Sequence, residues 1–255
     1  MEQIKTTNPP STQPVSMSHP SGNRTRAGLA AVIVAAGAGT RIGFDKVFAP
    51  LGGRPLFLHS VEVFSRSGFV GEVVVVGGAG KCARLRGELD AAGFGSVRVA
   101  PGGVERMDSV IEGLRALEPW SGLVAIHDAA RPLLTKASLQ RCHEAARRTG
   151  AAACAEPLAD TIHRAGADRI LTAPMDRGGI WRMQTPQIFR RTEILDALIA
   201  ARKEGRVATD DAGVAIAAGI RVELVEPDGW NFKVTRPADY ELARLVIAGQ
   251  HERPA

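Results

Sequence analysis

The chain has 255 residues and a formal net charge of +5, enough length for one α/β domain with decoration or two small ones. No apolar run reaches about 18 residues, so no membrane span is expected; three widely spaced cysteines (Cys82, Cys142, Cys154) fit neither a disulfide framework nor a CxxC metal site, and a reducing, cytoplasmic setting is expected. The basic balance suits an anionic small molecule, while the lack of a Lys/Arg run and the single tyrosine argue against a nucleic-acid surface.

Residues 1–28 are rich in Ser, Thr, Pro, Asn and Gln and nearly free of apolar side chains, so a disordered leader is expected there. It has no hydrophobic signal region; few acids and two arginines leave a transit peptide as the alternative. Leu29 to Val34 is a short run of small and β-branched apolar residues that reads as a buried strand. Ala35, Ala36, Gly37, Ala38 and Gly39 follow at once. Such a loop lets backbone N–H groups approach an anion and form a concave site for it. Arg41 and Lys46 then arrive in the same segment. Strand, small-residue loop and two cations describe a polyanion site, most simply one for a nucleoside triphosphate. The bland reading is a tight strand-to-helix turn with incidental charges. A Walker A loop (G-x-x-x-x-G-K-S/T) is excluded, because the only GK pair, Gly80-Lys81, has Val75 where the first glycine belongs. A dinucleotide fingerprint fails as well: Ile42 stands where its third glycine should be.

Leu56 to Phe64 carries helical spacing behind Pro55, and Glu72 to Val76 is a second strand. A helix over Lys81 to Ala92 ends at Gly93, a strand covers Val97 to Ala100, and Pro101-Gly102-Gly103 makes another glycine turn. Met107, Val110, Ile111, Leu114 and Leu117 share one helix face. Strand Leu123 to Ile126 runs into His127-Asp128-Ala129-Ala130-Arg131, followed by a helix over Lys136 to Arg148 and a strand over Ala151 to Ala155. This alternation predicts an α/β, Rossmann-like, doubly wound and mostly parallel sheet, with its ligand outside the carboxyl ends of the strands. The pattern breaks at about residues 156–182, which read as a protruding β-arm with a turn at Gly166-Ala167-Asp168. Beyond QTPQIF, helices are predicted at Arg191 to Glu204 and Asp210 to Ala218, a strand at Arg221 to Val225, and a last helix behind Pro237. Residues 29–248 thus form one domain, with 249–255 a tail.

Asp128 closes a strand beside Arg131. Next to a triphosphate loop a single carboxylate suits Mg²⁺, which takes only one or two protein carboxylates; the alternative is a turn cap. His127 has no base-like partner nearby in sequence and reads as structural. Neither an H-E-x-x-H nor a G-x-S-x-G motif occurs.

The motifs AAGAGTRIGFDK, PGGVERMDSV, HDAARP, Asp160-Thr161, Asp176-Arg177, QTPQ, ATDD and NFKVTRP occur in this order, over about Leu29 to Ile247. In that set the chain resembles the 2-C-methyl-D-erythritol 4-phosphate cytidylyltransferases. Ribitol-5-phosphate cytidylyltransferases share the layout and are the runner-up. The resemblance implies CTP contacts at Ala35, Ala36, Gly37, Gly39, Gly103, Ser109 and Ala129, and catalytic roles for Arg41, Lys46 and Lys233. It implies acceptor contacts at Asp128, Arg131, Thr161, Arg177, Thr185 and Thr209, with Asp128 also holding Mg²⁺ or another divalent cation. It further implies a homodimer embracing through the arms, CTP and methylerythritol phosphate as substrates, and neither nucleic acid nor membrane as partner. Two positions depart from the pattern: Asp45 stands where many members have proline, and Val104 where some have an acid. The reaction implied is in-line attack of a phosphate monoester on the α-phosphorus of CTP, with no general base. A nucleotide-binding regulator without turnover is the alternative from another class, and Arg41, Lys46, Asp128 and Lys233 argue against it.

Overall fold

The computed structural model describes residues 28–37, 44–119, 122–206 and 208–251. The expected leader therefore lies, but for Gly28, outside the described residues. In chain order the elements begin with β1 (Leu29–Ala35), a 3₁₀ turn (Lys46–Phe48) and a small hairpin, β2 (Pro50–Leu51) and β3 (Arg54–Pro55). The hairpin turns at Gly52 and Gly53, whose φ values of 57° and 81° only glycine adopts freely. Then come α1 (Leu56–Ser65), β4 (Val70–Gly77), α2 (Cys82–Ala91), β5 (Arg98–Pro101), α3 (Arg106–Ala116) and β6 (Leu123–Asp128). They are followed by α4 (Lys136–Thr149), β7 (Ala151–Pro157), β8 (Ile162–Ala165), β9 (Leu171–Met175) and β10 (Trp181–Arg190). The chain ends with α5 (Arg191–Lys203), α6 (Asp211–Ala217), β11 (Glu223–Val225) and α7 (Pro237–His251).

Seven strands form one sheet in the order β11-β7-β10-β6-β1-β4-β5. Within it β1, β4, β5 and β6 pair in parallel, as do β7 and β11, and β10 runs antiparallel to both of its neighbours. The predicted mostly parallel sheet is the observed one. Burial explains why its central strands read as unbroken apolar runs. Leu29, Ala31 and Ile33 point to one core with α1, α2 and α4, whereas Ala30 and Val32 point to another with α3, α5 and α6. A strand covered on both faces has no polar alternation to show. A third cluster, around Leu51, Leu56, Leu133, Val234 and Ala243, ties the β2–β3 hairpin to α7.

The long β10 was expected only as the return of QTPQIF to the body; it begins at Trp181 and wedges between β6 and β7. The arm is a separate two-stranded sheet of β8 and β9, closed at its base where Leu158 N–H donates to the Ile180 carbonyl at 3.0 Å. Ile170 and Leu171 are 63% and 67% exposed, while Ile162 is half-buried.

Candidate active site

The carboxyl ends of β1, β5 and β6 open onto a cavity of about 370 Å³. Ala35, Ala36, Gly37, Lys46, Gly103, Ser109, Asp128 and Lys233 all line it, together with Arg106. Gly103 is there for want of room: a Cβ would fall 2.2 Å from that of Asp108. Asp108 belongs to the capping box of α3, in which it accepts from Glu105 N–H at 3.1 Å. That box turns the glycine segment into the helix and sets Ser109, whose hydroxyl donates to the Glu105 carbonyl at 3.1 Å, at the cavity wall. Lys46 is buried in its 3₁₀ turn and donates to the Val234 carbonyl at 2.9 Å.

Asp128, the last residue of β6, is the hub. Its Oδ2 accepts from Lys233 Nζ at 2.7 Å, its Oδ1 from Arg106 Nε at 3.2 Å, and Arg131 Nε lies 4.0 Å from Oδ2. Burial alone would raise this carboxyl; Arg106 and Lys233 outweigh it and hold the group well below the usual carboxylate range. Arg106 meanwhile holds the buried Asp211 of α6 with both Nη atoms, at 3.0 and 2.8 Å. Burial lifts the Asp211 carboxyl above its ordinary value although Arg106 opposes it. The guanidinium itself, against the cost of its burial, is pushed up by Asp211 and Asp128.

Beneath Asp128 runs a chain of neutral donors. Asp128 N–H donates to Thr185 Oγ at 3.0 Å, and Thr185 hydroxyl lies 3.0 Å from His127 Nδ1. His127 Nε2 is 3.3 Å from the Arg131 carbonyl, which can only accept, so Nε2 carries the proton and Nδ1 accepts from Thr185. Burial pushes His127 down to about 3, so it stays neutral, a structural histidine as expected. Arg131 donates to the carbonyls of Asn231 at 2.9 Å and Met183 at 3.3 Å. The QTPQ segment is scaffolding of the same kind. Asn231 amide nitrogen donates to Gln184 Oε1 at 2.7 Å and the Thr185 carbonyl at 2.9 Å, and Gln187 bridges Asp210 at 2.8 Å to Ala212 N–H at 2.8 Å.

Arg131, Thr185 and Thr209 meet around a smaller cavity of about 110 Å³ that shares Arg106, Asp128 and Lys233 with the first. Ala129 lies below the floor, fully buried, with its N–H donating to the Val34 carbonyl at 3.0 Å; Ala130 takes its place in the lining. Thr161 and Arg177 sit on the exposed arm, outside both linings, and Arg177 donates to the Ala159 carbonyl of its own arm. Gly39 and Arg41 fall outside the described residues. Arg106 escaped the reading of the sequence; its one signal was a position in the first helical turn after a glycine segment. As for a metal, no cluster of three metal-ligating side chains occurs among the described residues. Among the described residues Asp128 is the one carboxylate that lines both cavities, and it is ionised. That fits Mg²⁺, whose other ligands are water and phosphate oxygens.

A family model described as IspD: 2-C-methyl-D-erythritol 4-phosphate cytidylyltransferase matches residues 29–249. This chain belongs to that family. The enzyme of that name from Pelotomaculum thermopropionicum is 38% identical over 231 residues, covering 89% of this chain and 97% of the relative. The one from Ralstonia nicotianae is 40% identical, over 86% and 91%. The crystal structure of 2-C-methyl-D-erythritol 4-phosphate cytidylyltransferase from Thermus thermophilus superposes with a TM-score of 0.72 at 31% identity, covering 86% of this chain and 98% of that one. The family match spans both cavities and the arm, so the resemblance drawn from the motifs holds over the whole sheet. No helix among the described residues is long and apolar enough to cross a membrane.

Proposed function

We infer that this cytidylyltransferase joins CTP to 2-C-methyl-D-erythritol 4-phosphate, giving 4-diphosphocytidyl-2-C-methyl-D-erythritol and pyrophosphate in non-mevalonate isoprenoid biosynthesis. The observation that carries the reading is Asp128, gripped by Arg106 and Lys233 where the two cavities meet. In this reading the larger cavity takes CTP, with the backbone of Ala35 to Gly37 and the Gly103 turn around it. The smaller one, walled by Arg131, Thr185 and Thr209, takes the acceptor phosphate. That phosphate is mostly dianionic at neutral pH and attacks without a base, which accords with a neutral, buried His127 and an Asp128 whose oxygens are taken by Lys233 and Arg106. Rate enhancement then comes from positioning and charge stabilisation. Lys46 and Lys233, with Arg41, neutralise oxygens that gain charge. Asp128 would hold a magnesium ion, which supplies further neutralisation of phosphate charge when bound. The exposed Ile170 and Leu171 support a homodimer through the arms, and the low cysteine count supports a cytoplasmic setting.

The test is pyrophosphate release from CTP and Mg²⁺ with each of two acceptors. Turnover is expected with methylerythritol phosphate and not with ribitol 5-phosphate. Preference for ribitol 5-phosphate would overturn the acceptor, and no release with either would overturn the activity.

A further inference from the structure

Lys46 sits in a segment held from outside the cavity. Its two neighbours in that segment, Asp45 and Phe48, both face the start of α2. Lys81, the residue that caps α2, places its Nζ 3.0 Å from Asp45 Oδ2 and donates to the Gly37 carbonyl at 3.2 Å. One turn further on, the Arg84 guanidinium lies over the Phe48 ring, 4.0 Å from its centroid. Phe48 is itself packed edge-on against Phe57 of α1. Gly37 ends the described part of the strand-loop segment and Asp45 immediately precedes Lys46, so one ammonium joins the two flanks of the nucleotide loop. Lys81 is not part of either cavity lining. An ion pair that is partly exposed adds little to global stability, but it fixes local geometry, and an ammonium with three donors can serve both acceptors at once.

We propose that Lys81 is a positioning residue for the transfer reaction: by bridging Asp45 and the Gly37 carbonyl it sets Lys46 against the triphosphate of CTP. This rests on the larger cavity being the CTP site. Lys81→Met removes the bridge and keeps the stem, Asp45→Ala removes it from the other side, and Lys81→Arg keeps the charge.

Each variant, and the double variant Lys81→Met/Asp45→Ala, is assayed for kcat and KM with CTP and with the acceptor, beside wild type. Amide exchange is followed at Phe48 and Ala49, whose N–H groups donate within the 3₁₀ turn to Asp45 and Lys46 at 3.2 Å. Lys81→Met and Asp45→Ala are each expected to lower kcat/KM for CTP about ten- to a hundredfold, the scale of a small misplacement. The double variant should fall no further than the worse single, because both break one contact. Melting temperature and KM for the acceptor should hold, Lys81→Arg should recover most of the loss, and the Phe48 and Ala49 amides should exchange faster in Lys81→Met. An unchanged kcat/KM in Lys81→Met overturns the proposal. So does a harmless Asp45→Ala beside a damaging Lys81→Met, or losses that multiply, since Lys81 would then act on the phosphates directly. A wild type without CTP turnover removes the assigned function instead, and the exchange rates alone then decide whether the bridge holds the turn: unchanged exchange refutes it.

Discussion

Arg106 offers the sharpest test of how the site is built. Substituting Arg106→Met removes a guanidinium that serves Asp211 twice and Asp128 once. Asp128 keeps Lys233 at 2.7 Å, but Asp211, with only 1% of its side chain exposed, is left with an uncompensated charge. Breaking a buried pair from one side costs about 3–5 kcal/mol. Arg106 is 28% exposed, so the lower end applies. A loss of about 3 kcal/mol in a domain of this size lowers the melting temperature by roughly 6–12 °C. The penalty belongs to the stranded charge and not to the missing contacts. Arg106→Met/Asp211→Asn should therefore be more stable than Arg106→Met alone, because replacing both partners avoids the stranded group. The sign with pH follows. In Arg106→Met the folded-state value of Asp211, already raised by burial, rises further. The penalty then grows as pH climbs from the ordinary Asp value to the raised one, and it shrinks in acid. Thermal unfolding of the three proteins at neutral pH and near pH 5 measures this. A double variant no more stable than the single, at either pH, would refute the stranded-charge account. Turnover should be low in both variants, since Asp128 loses a partner that lines both cavities.

Lys46→Ala is expected to lower kcat by about 10²–10³, the scale for losing one group that stabilises developing charge; steady-state pyrophosphate release checks it, and a kcat within a few-fold of wild type would make the lysine ornamental. His127 titrates near 6.5 when unfolded and only at about 3 in the fold, so stability is full above the unfolded value and falls as pH drops between the two. Urea unfolding should show stability falling steadily as pH drops through that window. His127→Gln should flatten the slope, and an unchanged slope would place the proton elsewhere.

Why was so much of the fold legible and part of the site not? β1 and β4 are covered on both faces, so Leu29 to Ala35 and Val73 to Val76 each read as an unbroken apolar run with glycine close by. α4 announces both ends, with Thr135 accepting from Ser138 N–H at 3.0 Å and Gly150 at the left-handed terminus. β10 carries no such pattern: Gln184, Thr185 and Gln187 are buried by hydrogen bonds to Asn231 and Asp210, partners far along the chain. The β2–β3 hairpin has two residues in each strand, too few for any period. In the site, residues at the carboxyl ends of β1 and β6 were found because topology places every such end on one rim. Arg106 and Lys81 were missed for a common reason. Each acts through a carboxylate on another element, Asp211 for one and Asp45 for the other, and sequence spacing carries no trace of such pairing.

The arm carries the remaining question, because Arg177 and Thr161 lie on it, away from the cavity walls of their own chain. A two-stranded sheet with Ile170 and Leu171 more than half exposed offers a partner unpaired strand edges and an apolar patch. Since neither residue lines the two cavities of the site in its own chain, an arm that serves a site in a two-fold dimer would serve the other chain's. Arg177 would then reach the acceptor phosphate of the neighbour, and each site would combine Lys46 from one chain with Arg177 from the other. A heterodimer of Lys46→Ala and Arg177→Ala chains tests this arrangement directly. One of its sites lacks both residues and the other has both, so it should recover about half of the wild-type rate, whereas either homodimer stays nearly dead. If the arm folds back on its own chain, every site carries one defect and mixing restores nothing. Differently tagged chains, co-expressed and purified through both tags, give the heterodimer for the pyrophosphate assay. Activity no higher than that of the two single variants would rule out the shared site.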